Sequence, residues 1–187
     1  DPSAILRSQI AQVETQITQY QALLEEDPED VTALMQLGHA YYDLGQIYSS
    51  LNNAEDSQAN FAQALEPYGK VLELTPDDVN VRVDRAVAAY LSRNNEVAQE
   101  EFEAAIKVDP AHAKARFNYG FFLYSALDKP QEALQQWQEV VELDPADEAD
   151  VVATARTLID MVEEELAEQA NDGESSPEDD TSAEDTD

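Results

Sequence analysis

The chain has 187 residues, 43% of them apolar, and its 41 acidic residues against 10 lysines and arginines give a formal charge of −31. Nucleic-acid binding is excluded on this ground, because it requires clustered cations that displace the counterions of the phosphate groups. Disulfide and thiolate chemistry is excluded because cysteine is absent, and no apolar run approaches the roughly 20 residues that insertion across a membrane needs.

Residues 3–26 are predicted to form one helix, because apolar residues recur along it at alternating spacings of four and three. These residues are Leu6, Ile10, Val13, Ile17, Tyr20 and Leu24. A seam of this kind can join two copies of a chain as a coiled-coil dimer. We expect it to pack within the chain instead, antiparallel to the next helix. The reason is that Tyr20 and Leu23 precede Pro28 at the same distances at which apolar residues precede the later prolines.

Four prolines divide the sequence into similar segments. Pro28, Pro76, Pro110 and Pro145 lie 48, 34 and 35 residues apart. Alignment on them superposes three small residues and, four residues later, three aromatic residues. These are Ala64, Ala98 and Ala133, followed by Tyr68, Phe102 and Trp137. The pattern indicates antiparallel helix pairs, because a small residue lets two helices approach, an aromatic ring fills the next layer, and a proline ends the second helix.

This pattern resembles the tetratricopeptide repeat, a helix–turn–helix unit of 34 residues. The resemblance covers about residues 28–147, and Gly38, Ala86 and Gly120 occupy the family's small site in the first helix. It implies an all-α fold, a right-handed solenoid of antiparallel helix pairs. The implied organisation is an N-terminal helix at 3–26, repeat units at 29–78, 79–112 and 113–147, a capping helix at 148–170 and an acidic tail at 171–187.

Two features depart from the family pattern. The first unit is longer by 14 residues, and we expect its helices at about 31–51 and 53–74, each lengthened by about two turns. Pro67 lies inside the second of these helices and is expected to kink or split it. Arg82 and Arg85 stand where the family usually has large apolar residues, so we expect looser packing in the second unit.

The later helices are predicted at about 79–93, 95–108, 113–127 and 130–143. In the capping helix, helical spacing places a buried stripe on one face. Its members are Val151, Val152, Ala155, Leu158, Ile159 and Val162. The segment 171–187 has no large apolar residue and cannot bury enough surface to offset its ordering entropy, so we predict that it is disordered.

No arrangement of residues in the sequence indicates catalysis, a metal or a cofactor. His39 and His112 lie in different units without a shared ligand spacing, and the glycines form no phosphate-binding loop. The carboxylates are most simply solvated helix faces. We therefore expect a protein that is not an enzyme, with no cofactor, metal or small-molecule substrate.

In a solenoid of this family the first helices line the concave surface, and helical spacing indicates which side chains face inward. These are Met35, His39, Tyr42, Val83, Val87, Tyr90, Phe117, Phe121 and Tyr124, and the capping helix adds Val152 and Arg156. We predict a non-catalytic scaffold that binds a peptide or helix of another protein in this apolar and aromatic groove. It does not resemble the subgroup that clamps acidic chaperone tails, which needs Lys and Asn where Met35, His39 and Val83 stand.

Three alternatives remain open. Neighbouring helices or the tail could cover the groove. The chain could instead assemble with itself through the solenoid ends and the N-terminal helix. It could also be a periplasmic assembly factor that resembles the repeat regions of cytochrome c maturation proteins. The sequence begins at Asp1-Pro2 without an initiator methionine, and together with its acidity this favours an extracytoplasmic location over the cytoplasm.

Overall fold

The computed structural model describes residues 2–146 and 148–174, and all the regular structure in these ranges is helical. The predicted all-α fold is confirmed. The helices are α1 (Pro2–Glu26), α2 (Val31–Ser50), α3 (Ala54–Leu74), α4 (Val79–Leu91), α5 (Asn95–Val108), α6 (Ala113–Leu127), α7 (Pro130–Leu143) and α8 (Ala149–Glu174).

Local capping residues explain where five of these helices begin. The side chain that precedes the helix accepts a hydrogen bond from the backbone N–H three residues later, which satisfies one of the free donors of the first turn. The capping residues are Asp30, Asn53, Asp78, Asn94 and His112. Helix α7 begins instead with Pro130 at its first position, where the missing N–H has no consequence.

The helices pack as antiparallel pairs, α2 with α3, α4 with α5, and α6 with α7, while α1 covers α2 and α8 covers α7. Close approach depends on the small residues. A Cβ atom added at Gly38 would lie 2.5 Å from Tyr68 Cε1, and one added at Gly120 would lie 2.5 Å from Trp137 Nε1. The aromatic rings therefore occupy the space that a side chain would need.

The first pair is elongated by equal amounts in both helices. Helix α2 has 20 residues against 13 in α4, and α3 has 21 against 14 in α5. The extra turns repeat the device of the other pairs, because Phe61 fills the space beside Gly45. The Ser57 hydroxyl also donates to the Gly45 carbonyl at 2.8 Å. The expected split at Pro67 is wrong, since α3 continues through this buried proline without a break.

The N-terminal helix packs within the chain, as predicted. Val13 and Ile17 of α1 form a buried cluster with Leu37, Ala40 and Leu44 of α2. Leu6 and Val13 lie beside Ile47 and Ser50, near the end of α2, so the two helices run antiparallel. The extra turns of α2 are thus covered by α1.

The two arginines of α4 do not loosen the second pair. Arg82 donates from Nη1 to Glu101 Oε2 at 2.7 Å, and Arg85 bonds the other oxygen of the same carboxylate. Glu101 is 7% exposed, and the Ala98 and Phe102 side chains beside it are fully buried. The expectation of looser packing is wrong, because one buried acid on α5 pairs with both cations.

Helix α8 runs four residues past the predicted end of the capping helix, so residues 171–174 are helical rather than disordered. The remaining tail, 175–187, lies outside the described residues. Val152, Ala155 and Val162 are buried against the preceding helices. None of the helices described is both long enough and apolar enough to cross a membrane.

Candidate binding groove

The inner faces of α2, α4 and α6 enclose a pocket of about 470 Å³, which we call the concave pocket. Four predicted groove residues, His39, Tyr42, Val83 and Val87, line it. The lining is more polar than the predicted stripe. The other lining residues are Asp43, Tyr68, Asn80, Asp84, His112, Lys114 and Asn118.

His39 and Asp84 link α2 to α4 across the pocket. The imidazole Nε2 of His39 donates to Asp84 Oδ2 at 3.3 Å. This hydrogen bond raises the pKa of His39, partial burial opposes the rise, and the charges of Asp84 and Asp43 add to it. The pKa of Asp43 is also raised, because the surrounding protein desolvates its carboxylate. Both carboxylates therefore line the pocket that contains His39, and Asp84 bonds the imidazole.

Tyr68 reaches the pocket from α3, behind the first helices. Its ring packs edge-on against His39, with ring centroids 5.7 Å apart, and fills the space beside Gly38. The side chain is only 1% exposed. Burial raises the pKa of Tyr68 far above its ordinary range, and the charges of Asp84 and Asp43 raise it further. Glycine at position 38 is what allows a residue of the second helix to line a pocket between first helices.

The side of the pocket formed by α6 carries little free positive charge. His112 accepts the N–H of Ala115 at its Nδ1 atom as the cap of α6, at 3.1 Å. Its other ring nitrogen, Nε2, lies 3.2 Å from Asn80 Oδ1, so both nitrogens are bonded within the chain. The ammonium group of Lys114 lies 3.6 Å from the carboxylate of Glu148, the residue before α8. The negative charge of Asp43 and Asp84 therefore dominates the concave pocket.

One turn further along α4 and α6 lies an aromatic patch, formed by Tyr90, Phe121 and Tyr124. Phe121 is 41% exposed and packs edge-on against Tyr90, with centroids 6.4 Å apart. The Tyr90 hydroxyl lies 2.9 Å from Ser125 Oγ. Tyr124 donates to Glu165 of α8 at 2.7 Å, so α8 borders the patch. The pKa of Tyr124 is raised, first by this hydrogen bond.

The remaining predicted residues lie elsewhere. Met35 packs against the core between α2, α3 and α4, and Phe117 is partly buried against the core of the later helices. Val152 is 4% exposed and belongs to the same later core. Arg156 is exposed on α8 and does not line the concave pocket.

The polar lining residues were missed because only apolar and aromatic positions were selected on each inner face. Asp43 lies four residues after His39, and Asp84 lies three residues before Val87, so helical spacing places both acids on the inner faces. Lys114 and Asn118 are spaced one turn apart on α6 and carried the same signal. Tyr68 had a different signal: it is the large aromatic residue of the second helix in a unit whose first helix has its small site at Gly38. Among the described residues, no group of three His, Cys, Asp or Glu side chains is placed to hold a metal ion.

Comparison with known proteins identifies the family. Two profiles, each described as Tetratricopeptide repeat, match residues 33–66 and 83–148. The chain is a tetratricopeptide repeat protein. The small glutamine-rich tetratricopeptide repeat-containing protein 2 of Mycosarcoma maydis is 33% identical over 96 residues, which are 51% of this chain and 27% of that protein. The chain therefore spans about a quarter of the length of this relative.

Two solved structures are similar in fold. The tetratricopeptide repeat domain of Sgt2 from Aspergillus fumigatus superposes with a TM-score of 0.55 and 21% identity, over 80% of this chain and 90% of that one. The first such domain of Spaghetti (RPAP3), bound to the HSP90 peptide SRMEEVD, superposes with a TM-score of 0.52 and 21% identity, over 71% and 98% of the two chains. At this identity the similarity concerns the fold.

Proposed function

We propose that this tetratricopeptide repeat protein is a non-catalytic interaction scaffold that holds a segment of a partner protein in its concave groove. The groove consists of the concave pocket and the aromatic patch. The observation that carries the proposal is Phe121, a large aromatic side chain left 41% exposed beside the pocket. Exposed apolar clusters next to a concavity are typical of binding surfaces.

Helical spacing joins the pocket to the patch. On α4, Val87 of the pocket and Tyr90 of the patch are three residues apart, as are Asn118 and Phe121 on α6. The core of the later helices is already filled by other aromatic side chains, among them Phe122 and Trp137, both fully buried. Phe121 is therefore free to anchor an extended peptide or a helix that also reaches the pocket.

The similar structure of Spaghetti shows this fold holding a peptide, SRMEEVD, whose charge is mainly acidic. An acidic segment does not suit the present groove, since Asp43 and Asp84 line its pocket and the chain carries a charge of −31. We propose that its partner segment belongs to a different chemical class. An extracytoplasmic location stays a prediction, which fractionation of the native source would test.

The test is selection of displayed peptides on the intact chain, followed by affinity measurement with a Phe121→Glu variant. Aromatic anchors at the centre of an interface contribute about 2 kcal/mol or more, so the variant should weaken binding at least about tenfold. Its helical circular dichroism should be unchanged. Val108→Glu is the matched control, because Val108 is also 41% exposed but lies at the end of α5.

The alternatives give different results. Unfolding of the Phe121→Glu variant would place this face in the core and overturn the groove. A change in oligomer size alone, seen by light scattering, would make the patch a self-assembly surface and favour the structural alternative. Equal losses of affinity in the Phe121 and Val108 variants would also overturn the proposal, because the effect would then not depend on the groove.

A further inference from the structure

One corner of the concave pocket brings two carboxylates together. The acidic corner consists of Asp43 of α2, Asp84 of α4 and Tyr68 of α3, grouped around His39. Asp84 bonds His39, and Asp43 makes no ion pair or side-chain hydrogen bond with any residue in the described ranges. No lysine or arginine of the described part pairs with either carboxylate, although two arginines on the same helix as Asp84 share Glu101.

Tyr68 gives a second and independent indication of a ligand. Its side chain is 99% buried, yet its hydroxyl has no hydrogen-bond partner among the residues that the structure describes. Tyr68, Asp43 and Asp84 all line the concave pocket, so the hydroxyl belongs to the same corner. The hydroxyl is not fully enclosed, so it opens on the pocket that Tyr68 lines and is available there to a hydrogen-bonding ligand.

The corner offers the groups that a cation requires. Lysine and arginine side chains end in groups that only donate hydrogen bonds, and carboxylates and hydroxyl oxygens accept them. The opposite side of the pocket does not compete for the carboxylates, because both ring nitrogens of His112 are bonded within the chain and Lys114 lies against Glu148. A pocket of about 470 Å³ has room for one long side chain beside the aromatic patch.

We propose that the acidic corner binds the cationic side chain, lysine or arginine, of the peptide held in the groove. This proposal rests on the proposed function and specifies the partner segment: one basic residue for the corner and an apolar residue for the aromatic patch. In the bound state the cation lies between Asp43 and Asp84, and the Tyr68 hydroxyl accepts one of its hydrogen bonds. His39 bonds only Oδ2 of Asp84, so the other carboxylate oxygen is available for this contact.

The probe is acetyl-arginine amide, titrated into the intact isotope-labelled chain and followed by NMR. Acetyl-citrulline amide has nearly the same shape without the charge, and acetyl-glutamate amide has the opposite charge. We expect saturable shifts of amides around Asp43, Tyr68 and Asp84 with the arginine compound, and at least about tenfold weaker binding of the other two. Equal binding of citrulline or glutamate, or no saturable shift with arginine, would overturn the proposal.

Variants of the corner residues test whether the arginine compound binds at the acidic corner. Asp43→Asn and Asp84→Asn should each weaken arginine amide binding about tenfold, and Tyr68→Phe should weaken it severalfold. The control is Asp160→Asn on the exposed face of α8, which removes the same charge and should change binding less than about twofold. Asp43→Asn keeps the test valid if Asp84→Asn disturbs folding, because Asp43 makes no contact that the fold needs. If the Asp43 and Asp160 variants have equal effects, the overall negative charge of the protein explains the binding, and the proposed site is wrong.

Peptides selected on the intact chain separate this proposal from the proposed function. If they bind through Phe121 but contain no lysine or arginine, the cationic occupant is wrong and the groove remains. If arginine amide binding depends on Asp84 while the selected peptides tolerate Phe121→Glu, the acidic corner is a cation site and the peptide groove is wrong.

Discussion

Gly120 and Gly69 are both helical glycines, but their surroundings differ, so replacement by alanine should change stability in opposite directions. A Cβ atom added at Gly120 would lie 2.5 Å from Trp137 Nε1 and 2.9 Å from its Cδ1. At Gly69 the nearest atom would be Arg85 Nε at 3.5 Å, an ordinary van der Waals contact. No glycine in the described part of the chain has a positive φ, so alanine strains neither backbone.

Three contributions determine the expected change in the free energy of unfolding. Alanine is favoured over glycine inside a helix by about 0.8–1.0 kcal/mol at either position. At Gly120 the methyl group displaces the fully buried Trp137, and overpacking of this kind costs about 1–3 kcal/mol. Displacement also removes the hydrogen bond from Trp137 Nε1 to the Phe117 carbonyl, now 3.1 Å long, which costs a further ~1–3 kcal/mol. Gly120→Ala should therefore lose about 1–5 kcal/mol, and Gly69→Ala should gain about 0.5–1 kcal/mol.

The assay is denaturant unfolding of the intact chain, followed by helical circular dichroism, with thermal unfolding as a second measurement. For a protein of this size each kcal/mol changes the melting temperature by about 2–4 °C. Gly69→Ala is the matched control, since it makes the same chemical change in a helix of the same array. The reasoning would be refuted if Gly120→Ala were as stable as the natural chain, or if both variants lost similar stability.

Three further predictions concern the core and its ionisable groups. Glu101→Gln removes the charge that both arginines of α4 share and should lower the free energy of unfolding by about 3 kcal/mol in denaturant titrations. An unchanged free energy of unfolding would contradict the importance of this buried ion pair. Ala98→Leu should lose about 1–3 kcal/mol in the same assay, whereas Gln99→Leu next to it should be nearly neutral, and equal losses would contradict the repeat register. Burial raises the pKa values of Tyr68 and Tyr119 in the folded chain above their ordinary value of about 10, so both tyrosines contribute their full stabilisation below pH 10. Above pH 10 the free energy of unfolding should fall by about 1.4 kcal/mol per pH unit for each tyrosine. Tyr68→Phe should make this measured decline shallower.

The helices and their pairing could be predicted from the sequence because the signals that specify them are local. Asp30 and Asp78 cap the helices that follow them, and prolines stand just beyond α3 and α5. Small and aromatic residues recur at one spacing in each unit. The elongation of the first pair followed from the same logic, since seven residues are close to two whole turns and preserve the face of each helix.

The groove was only partly predictable, because its chemistry depends on which helices lie opposite one another. Helical spacing indicated that Tyr42 and Val83 share the inner face, but not that Asp43 and Asp84 would line one pocket with His39. Tyr68 was predicted as core packing; only the close approach of α3 at Gly38 brings its hydroxyl to the pocket.

Two details of the core likewise depended on tertiary contacts. Glu101 lies on α5 and its charge could be placed only when α4 packed against it with both arginines. The helix through Pro67 continues because packing against α2 outweighs the one hydrogen bond that proline removes. Local signals specify where a helix begins and ends, whereas charges, hydroxyls and cavities acquire their roles from residues far apart in the chain.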